Sequence, residues 1–429
     1  VSFNNCKFYG KTVVSGLKRG RYLTFSCCSR ANIFSNVTID KIECRTLEIK
    51  DSKPRLKGYK KYQYLMPEIK KSYIHNINCH SMEPPFFENV VFVDKLNISS
   101  LPEDKNHQLW FKKCIFVNHL EINIINFDNL TIFIENCEVK STDEYSEPVV
   151  KLNTKDVSID ELNIRNSELS DMYFYLFRVR INSIDIKNSS LELLEAYTVD
   201  DEDANRKLYS IDIIDSFVGL LKLNHRQITH SMNFKGSTFD KPPILYGANM
   251  PQGSVFPLKN GFLSRNGSED ASSYRILRFF MESQRDRELE GMFFTLELES
   301  LINNKKFLRR IFSLNNVYSI FSEYGTNYRR PLILLLCFSF IFTLLYSLYI
   351  SPKISPYLPI NWDLLSKSFV FTLKQMFLPF SSLKDMQPLL ADGDKINVTL
   401  TVLSIVNSLL SIACLTLSGL AIRWKFKRG

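Results

Sequence analysis

The chain has 429 residues, enough for two or three domains, and its mean hydropathy of -0.10 averages a mixed first part with a strongly apolar stretch from position 331 onward. With 33 Phe and 19 Tyr against 15 Gly and 16 Pro, it is not a low-complexity or disordered sequence. The net charge of +9 does not mark a nucleic-acid binder: the basic residues are mixed with acidic ones or sit beside the apolar spans, and neither a recognition helix nor a zinc-module spacing accompanies them.

Nine cysteines (6, 27, 28, 44, 79, 114, 137, 337 and 414) form no paired spacing and no CxxC. They read as free thiols used as small apolar core residues, in a reducing compartment. The opening residues VSFNNCKFYGK hold no signal-like apolar core.

One six-residue pattern recurs through the first 240 positions: apolar, two mostly polar, small, variable, apolar. Its copies are FNNCKF (3–8), FSNVTI (34–39), FENVVF (87–92), FKKCIF (111–116), IENCEV (134–139), IRNSEL (164–169), IKNSSL (186–191), IIDSFV (213–218) and FKGSTF (234–239). From the third copy on they start 21 to 30 residues apart, a spacing that suggests a solenoid. In a strand the small residue and the apolar residue two positions later point the same way. The expected fold of 1–262 is therefore an irregular, pentapeptide-like right-handed β-solenoid, with an ordinary β-sandwich as the alternative. Segment 50–79 shows no copy and reads as an insertion or an irregular coil, basic and tyrosine-rich.

Residues 269–328 form a helical linker. Tyr274, Leu277 and Met281, then Leu289, Met292, Phe293 and Leu296, mark two helices around the polar turn SQRDRE. The block from Lys306 to Tyr318 is basic and amphipathic, suited to a membrane surface. The transmembrane domain, 329–429, has two uncharged spans, 331–350 and 397–422; twenty helical residues cover about 30 Å, one hydrocarbon core. Basic residues precede the first span (Lys305, Lys306, Arg309, Arg310, Arg329, Arg330) and follow the second (Arg423, Lys425, Lys427, Arg428). By the positive-inside rule both termini are cytoplasmic, with Trp424, Tyr349 and Tyr357 as interfacial anchors. Between the spans, 361–380 predicts a re-entrant or interfacial helix that Asn361 can cap and Pro379 ends. No TVGYG-like filter follows it, so a K⁺-selective pore is not supported.

Thr401, Ser404, Asn407, Ser408, Ser411 and Ser418 fall on one side of the second span. They are candidates for helix packing or for pore lining, and Lys367, Thr372, Lys374 and Gln375 are candidates for the pore mouth.

Tyr274-Arg275-Ile276-Leu277-Arg278, Phe293-Phe294 with Glu297, Tyr324-Gly325, and Arg329-Arg330-Pro331-Leu332 together resemble bacterial pentapeptide-repeat-containing membrane proteins. The likeness is best over 230–429. It implies a degenerate solenoid, a helical hairpin and an ion-channel-like two-helix membrane domain in the bacterial inner membrane. It implies no single activity.

GxGxxG, Walker, HExxH and GxSxG motifs are absent, and the six histidines (75, 80, 107, 119, 225, 230) are scattered, so neither an enzyme nor a cofactor or metal protein is expected. The first functional expectation is an oligomeric, ion-conducting or membrane-permeabilising protein whose cytoplasmic β-domain senses or assembles, with bacterial stress or phage defence as the biological setting. The second is a membrane-tethered scaffold whose β-domain binds a cytoplasmic protein. The expected partners are the lipid bilayer and further copies of the chain, and no nucleic acid.

Overall fold

Short apolar and β-branched runs separated by single polar bends favour strands over most of the first 240 positions. The computed structural model describes residues 1–4, 6–8, 12–18, 20–26, 29–30, 37–40, 42–50, 67–80, 84–99, 106–117, 119–140, 149–198, 206–303, 314–350, 362–377 and 398–426. It divides into two compact units, Val1–Phe280 and Met281–Gly429.

In the first unit, the described residues form a 21-stranded sheet and a separate two-stranded pair. Every described strand pairing is parallel, which also sets aside an antiparallel sandwich. The expected right-handed β-solenoid is corrected: the unit is a closed parallel six-stranded β-barrel with extra strands. The physical reason lies in what a hexad encodes. It sets a strand, a bend and a second strand, but closure is a property of the whole sheet. A pentapeptide-like coil also needs short, equal strands, whereas this sheet mixes two-residue strands with Glu121–Glu135 and Val150–Arg165 and shifts register repeatedly.

Locally, the hexads lie side by side in the ladder. Ile39, Ile69, Phe87, Phe111, Ile134, Ile164, Ile186 and Ile213 are successive partners, all buried. The third position is a left-handed bend, occupied by Lys71, Asn89, Lys113, Asn136, Asn166, Asn188 and Asp215 with φ between 45° and 54°, and by Gly236. Asn, Asp and Gly suit that conformation best. The small fourth residues connect neighbouring strands. The amide N–H of Cys137 donates to Ser167 Oγ (3.1 Å), Ser167 to Ser189 (3.1 Å), Ser189 to Ser216 (3.2 Å) and Ser216 to Ser237 (3.2 Å). Each bend amide thus finds an acceptor in the buried interior.

Two boundaries differ from the sequence expectation. Segment 50–79 is not wholly an insertion: Pro67–Lys70 and Tyr73–His80 are strands of the sheet, and Ile69-Lys70-Lys71-Ser72-Tyr73-Ile74 is a further hexad; residues 51–66 lie outside the described residues. The copy assigned to 34–39 is displaced. Ile39 pairs with Ile69 and Cys44 with Ile74, which puts the pattern at 39–44.

Six α-helices follow among the described residues: α1 (Gly267–Gln284), α2 (Arg287–Asn303), α3 (Leu314–Ser322), α4 (Arg329–Ile350), α5 (Trp362–Phe377) and α6 (Val398–Phe426). Asp270 ties the start of α1, accepting from the Ser264 hydroxyl (2.6 Å) and the Asn266 amide (2.8 Å), while the buried Tyr274 donates to Ser264 O (2.7 Å). In the second unit, Asp286 caps α2 through the Leu289 amide (3.0 Å). After α3, Glu323, Tyr324 and Gly325 turn the chain with φ of 50°, 58° and 81°. Asn327 then caps α4 through the Arg329 amide (3.0 Å), and Pro331 sits in its first turn, where a missing N–H costs nothing.

Candidate functional site

α4 and α6 contain stretches, Arg329–Tyr349 and Val398–Arg423, that are long and apolar enough to cross a membrane. Only 28% and 33% of their most apolar windows are buried, so most of their apolar surface faces outward, unlike the core helix of a water-soluble domain. The outward residues include Leu336, Phe340 and Leu344 on α4, and Val402, Val406 and Leu409 on α6.

α5 packs against both. Phe371 clusters with Phe342, Tyr346 and Leu400, near the end of α4 and the start of α6, whereas Met376 clusters with Leu335 and Cys414. α5 therefore runs antiparallel to α4 and parallel to α6. Its 16 residues cover ~24 Å, less than a ~30 Å hydrocarbon core. The start of α6 lies at the end of the unit where α5 begins. Residues 361 and 378–380, with the expected caps Asn361 and Pro379, lie outside the described residues.

Polar side chains from all three helices converge between them. Gln375 is the hub and is fully buried. Its carboxamide oxygen accepts from Tyr346 Oη (2.9 Å) and from Asn407 Nδ2 (2.6 Å), and its nitrogen donates to Ser404 Oγ. Thr343 donates to Thr372 Oγ1 (3.3 Å), and Thr372 donates to Ser368 O (2.8 Å). An amide buried among apolar helices needs such partners, because lipid offers none.

This places each candidate from the second span. Ser404, Asn407, Ser408, Ser411 and Ser418 are buried within the unit, Thr401 is half-buried, and Ser418 donates to Tyr328 O (3.4 Å). The four candidates on α5 separate: Thr372 and Gln375 face inward, whereas Lys367 and Lys374 are exposed. Ser339, Thr343 and Tyr346 on α4 were missed. Their spacing of four and three residues is a helical polar stripe within the first span, and it was legible beside the better-populated stripe of α6.

The depth of Lys374 is the unusual feature. Its neighbour Gln375 contacts Ser404 and Asn407, which lie ~9 and ~14 Å along α6. Lys374 is thus exposed beside Val370 and Phe377 on the outward face of α5, level with the part of α6 that holds Ser404 and Asn407. A lysine at the centre of a lipid-facing helix costs about 2.5–3.5 kcal/mol. Lys367, one turn from the start of α5, pairs with Asp363 (2.8 Å).

Among the described residues, no cluster of three or more His, Cys, Asp or Glu side chains could hold a metal ion. No known protein family, curated protein or solved structure matches the chain.

Proposed function

We propose that the chain is an integral membrane protein whose copies assemble around the exposed face of α5 and enclose an aqueous, ion-conducting vestibule. What supports this reading is Lys374, exposed on a helix that packs against two stretches long and apolar enough to cross a membrane. Intramembrane charges face bundle interiors or water rather than lipid. Two spans in one chain cannot surround a channel, so the water-facing side must be completed by other copies. Basic residues at the outer ends of the pair, Arg329, Arg330, Arg423 and Lys425, support cytoplasmic termini and a cytoplasmic β-unit. The linker and span motifs resemble those of bacterial pentapeptide-repeat membrane proteins, and an inner-membrane location enters this reading on that resemblance alone.

A second reading is favoured by the Gln375 hub. Ser404, Asn407 and Ser418 of the α6 stripe are engaged within one protomer, as in a helical anchor, and the β-unit then serves as a protein-binding scaffold. Ion flux from liposomes holding the purified chain separates the two. Conduction predicts a leak that Lys374→Met alters. A folded, inserted protein that leaks no more than empty liposomes supports the scaffold.

A further inference from the structure

We infer that the end of the helical unit shared by the start of α4 and the close of α6 binds an anionic phospholipid, with the Arg329 and Arg423 guanidinium groups on its phosphate. The inference rests on the membrane reading of the two spans and not on conduction. Three observations carry it. The helices are antiparallel, since Leu335 clusters with Cys414 and Phe342 with Leu400, and Ser418 Oγ donates to Tyr328 O (3.4 Å). Arg329 and Arg423 therefore belong to the same end. Both are exposed and neither meets a carboxylate among the described residues, whereas Arg330 is paired with Glu323 (3.2 Å). Arg329 is also held in place: its Nε donates to Tyr328 Oη (3.4 Å), and its guanidinium lies 5.8 Å from the centre of that ring. The terminal nitrogens remain, the fork that grips a phosphate through paired hydrogen bonds. Along the helices from these two cations, Leu332, Ile333 and Leu336 on α4 and Leu420 and Ile422 on α6 are exposed. A phospholipid sets anionic oxygen against the arginines and hydrocarbon against the leucines and isoleucines. A free phosphate or an acidic peptide would leave the apolar part uncovered.

Native mass spectrometry of the full-length chain tests this, after release from vesicles of equal parts phosphatidylglycerol and phosphatidylcholine with the same acyl chains. The wild type should carry phosphatidylglycerol in preference. An arginine beside an anionic headgroup strengthens binding about fivefold. Arg329→Gln and Arg423→Gln should each lower the ratio of the bound lipids by about that factor, and the double substitution by roughly 25-fold. Arg180→Gln, exposed on the β-unit, should leave the ratio unchanged. Equal binding of the two lipids by the wild type overturns the inference and leaves the membrane reading standing. So does a preference that survives the double substitution, or one that Arg180→Gln lowers equally. Displacement of the lipid by inorganic phosphate at the same concentration also overturns it, because the acyl chains would then contribute nothing. A folded chain that fails to enter the vesicles overturns the membrane reading, and this inference with it.

Discussion

Replacing Gln375 with leucine should loosen the membrane unit by a calculable amount. The substitution removes the acceptor of two buried donors, Tyr346 Oη (2.9 Å) and Asn407 Nδ2 (2.6 Å), along with the donor to Ser404. A buried donor left unsatisfied costs about 1–3 kcal/mol, while side-chain hydrogen bonds between membrane helices average about 0.6 kcal/mol. Two orphaned donors therefore give a loss of roughly 1–6 kcal/mol; a loss of about 2 kcal/mol shifts the unfolding equilibrium ~30-fold. Tyr346→Phe removes one donor without stranding its neighbour and should cost about 0.6 kcal/mol. Unfolding in mixed micelles, followed by near-ultraviolet circular dichroism, measures both. The double variant Gln375→Leu, Asn407→Leu should be less destabilised than the sum of its parts, because it removes a stranded amide. A Gln375→Leu protein as stable as the parent would refute the hub.

Three further outcomes concern the β-unit. Lys113 holds φ 53° at a hexad bend where most neighbours are Asn, Asp or Gly, so Lys113→Asn should stabilise the fold by about 0.5–1 kcal/mol, seen as a higher melting temperature. Ser189→Ala removes the acceptor of the Ser167 amide (3.1 Å) and should cost about 1–3 kcal/mol in denaturant unfolding, whereas Ser189→Cys, which keeps an acceptor, should cost less. Burial pushes the Cys44 thiol from 9.0 up to about 11. The folded state then keeps a proton that the unfolded state has released, so stability is fully present below pH 9 and falls as pH rises toward 11. Melting temperatures taken across that window should decline more steeply for the parent than for Cys44→Ala.

Much of this architecture was legible in the residues. The two apolar spans declare themselves by length and lack of charge, and the turn SQRDRE separates two helices where it was expected, at Gln284 and Arg287. From the third copy on, the hexads marked real strands and real bends, because an apolar residue must be buried on each side of the turn. They could not report how the sheet closes, since closure depends on strands far apart in sequence, and the solenoid expectation failed at that point. The hexad at 69–74 fits the pattern as well as FKKCIF (111–116) does and was legible in the sequence. The site shows the same limit. A stripe of hydroxyls on α6 reveals a polar face but not what it meets. Gln375 and Tyr346 decide that, and both lie on other helices. What the sequence could not separate, Lys374 pointing out and Gln375 pointing in, follows from the hundred-degree step between adjacent residues of a helix once its buried face is known.

The central claim is that Lys374 faces water at membrane depth. A Lys374→Cys chain reconstituted in liposomes and treated with a charged, membrane-impermeant methanethiosulfonate tests it, with modification read site by site by mass spectrometry. Cys337, exposed on the outward surface of α4, is the internal reference for a thiol facing lipid. The account predicts that the cysteine at 374 is modified while Cys337 is not. A cysteine at 374 as protected as Cys337 would place α5 against lipid and contradict the vestibule.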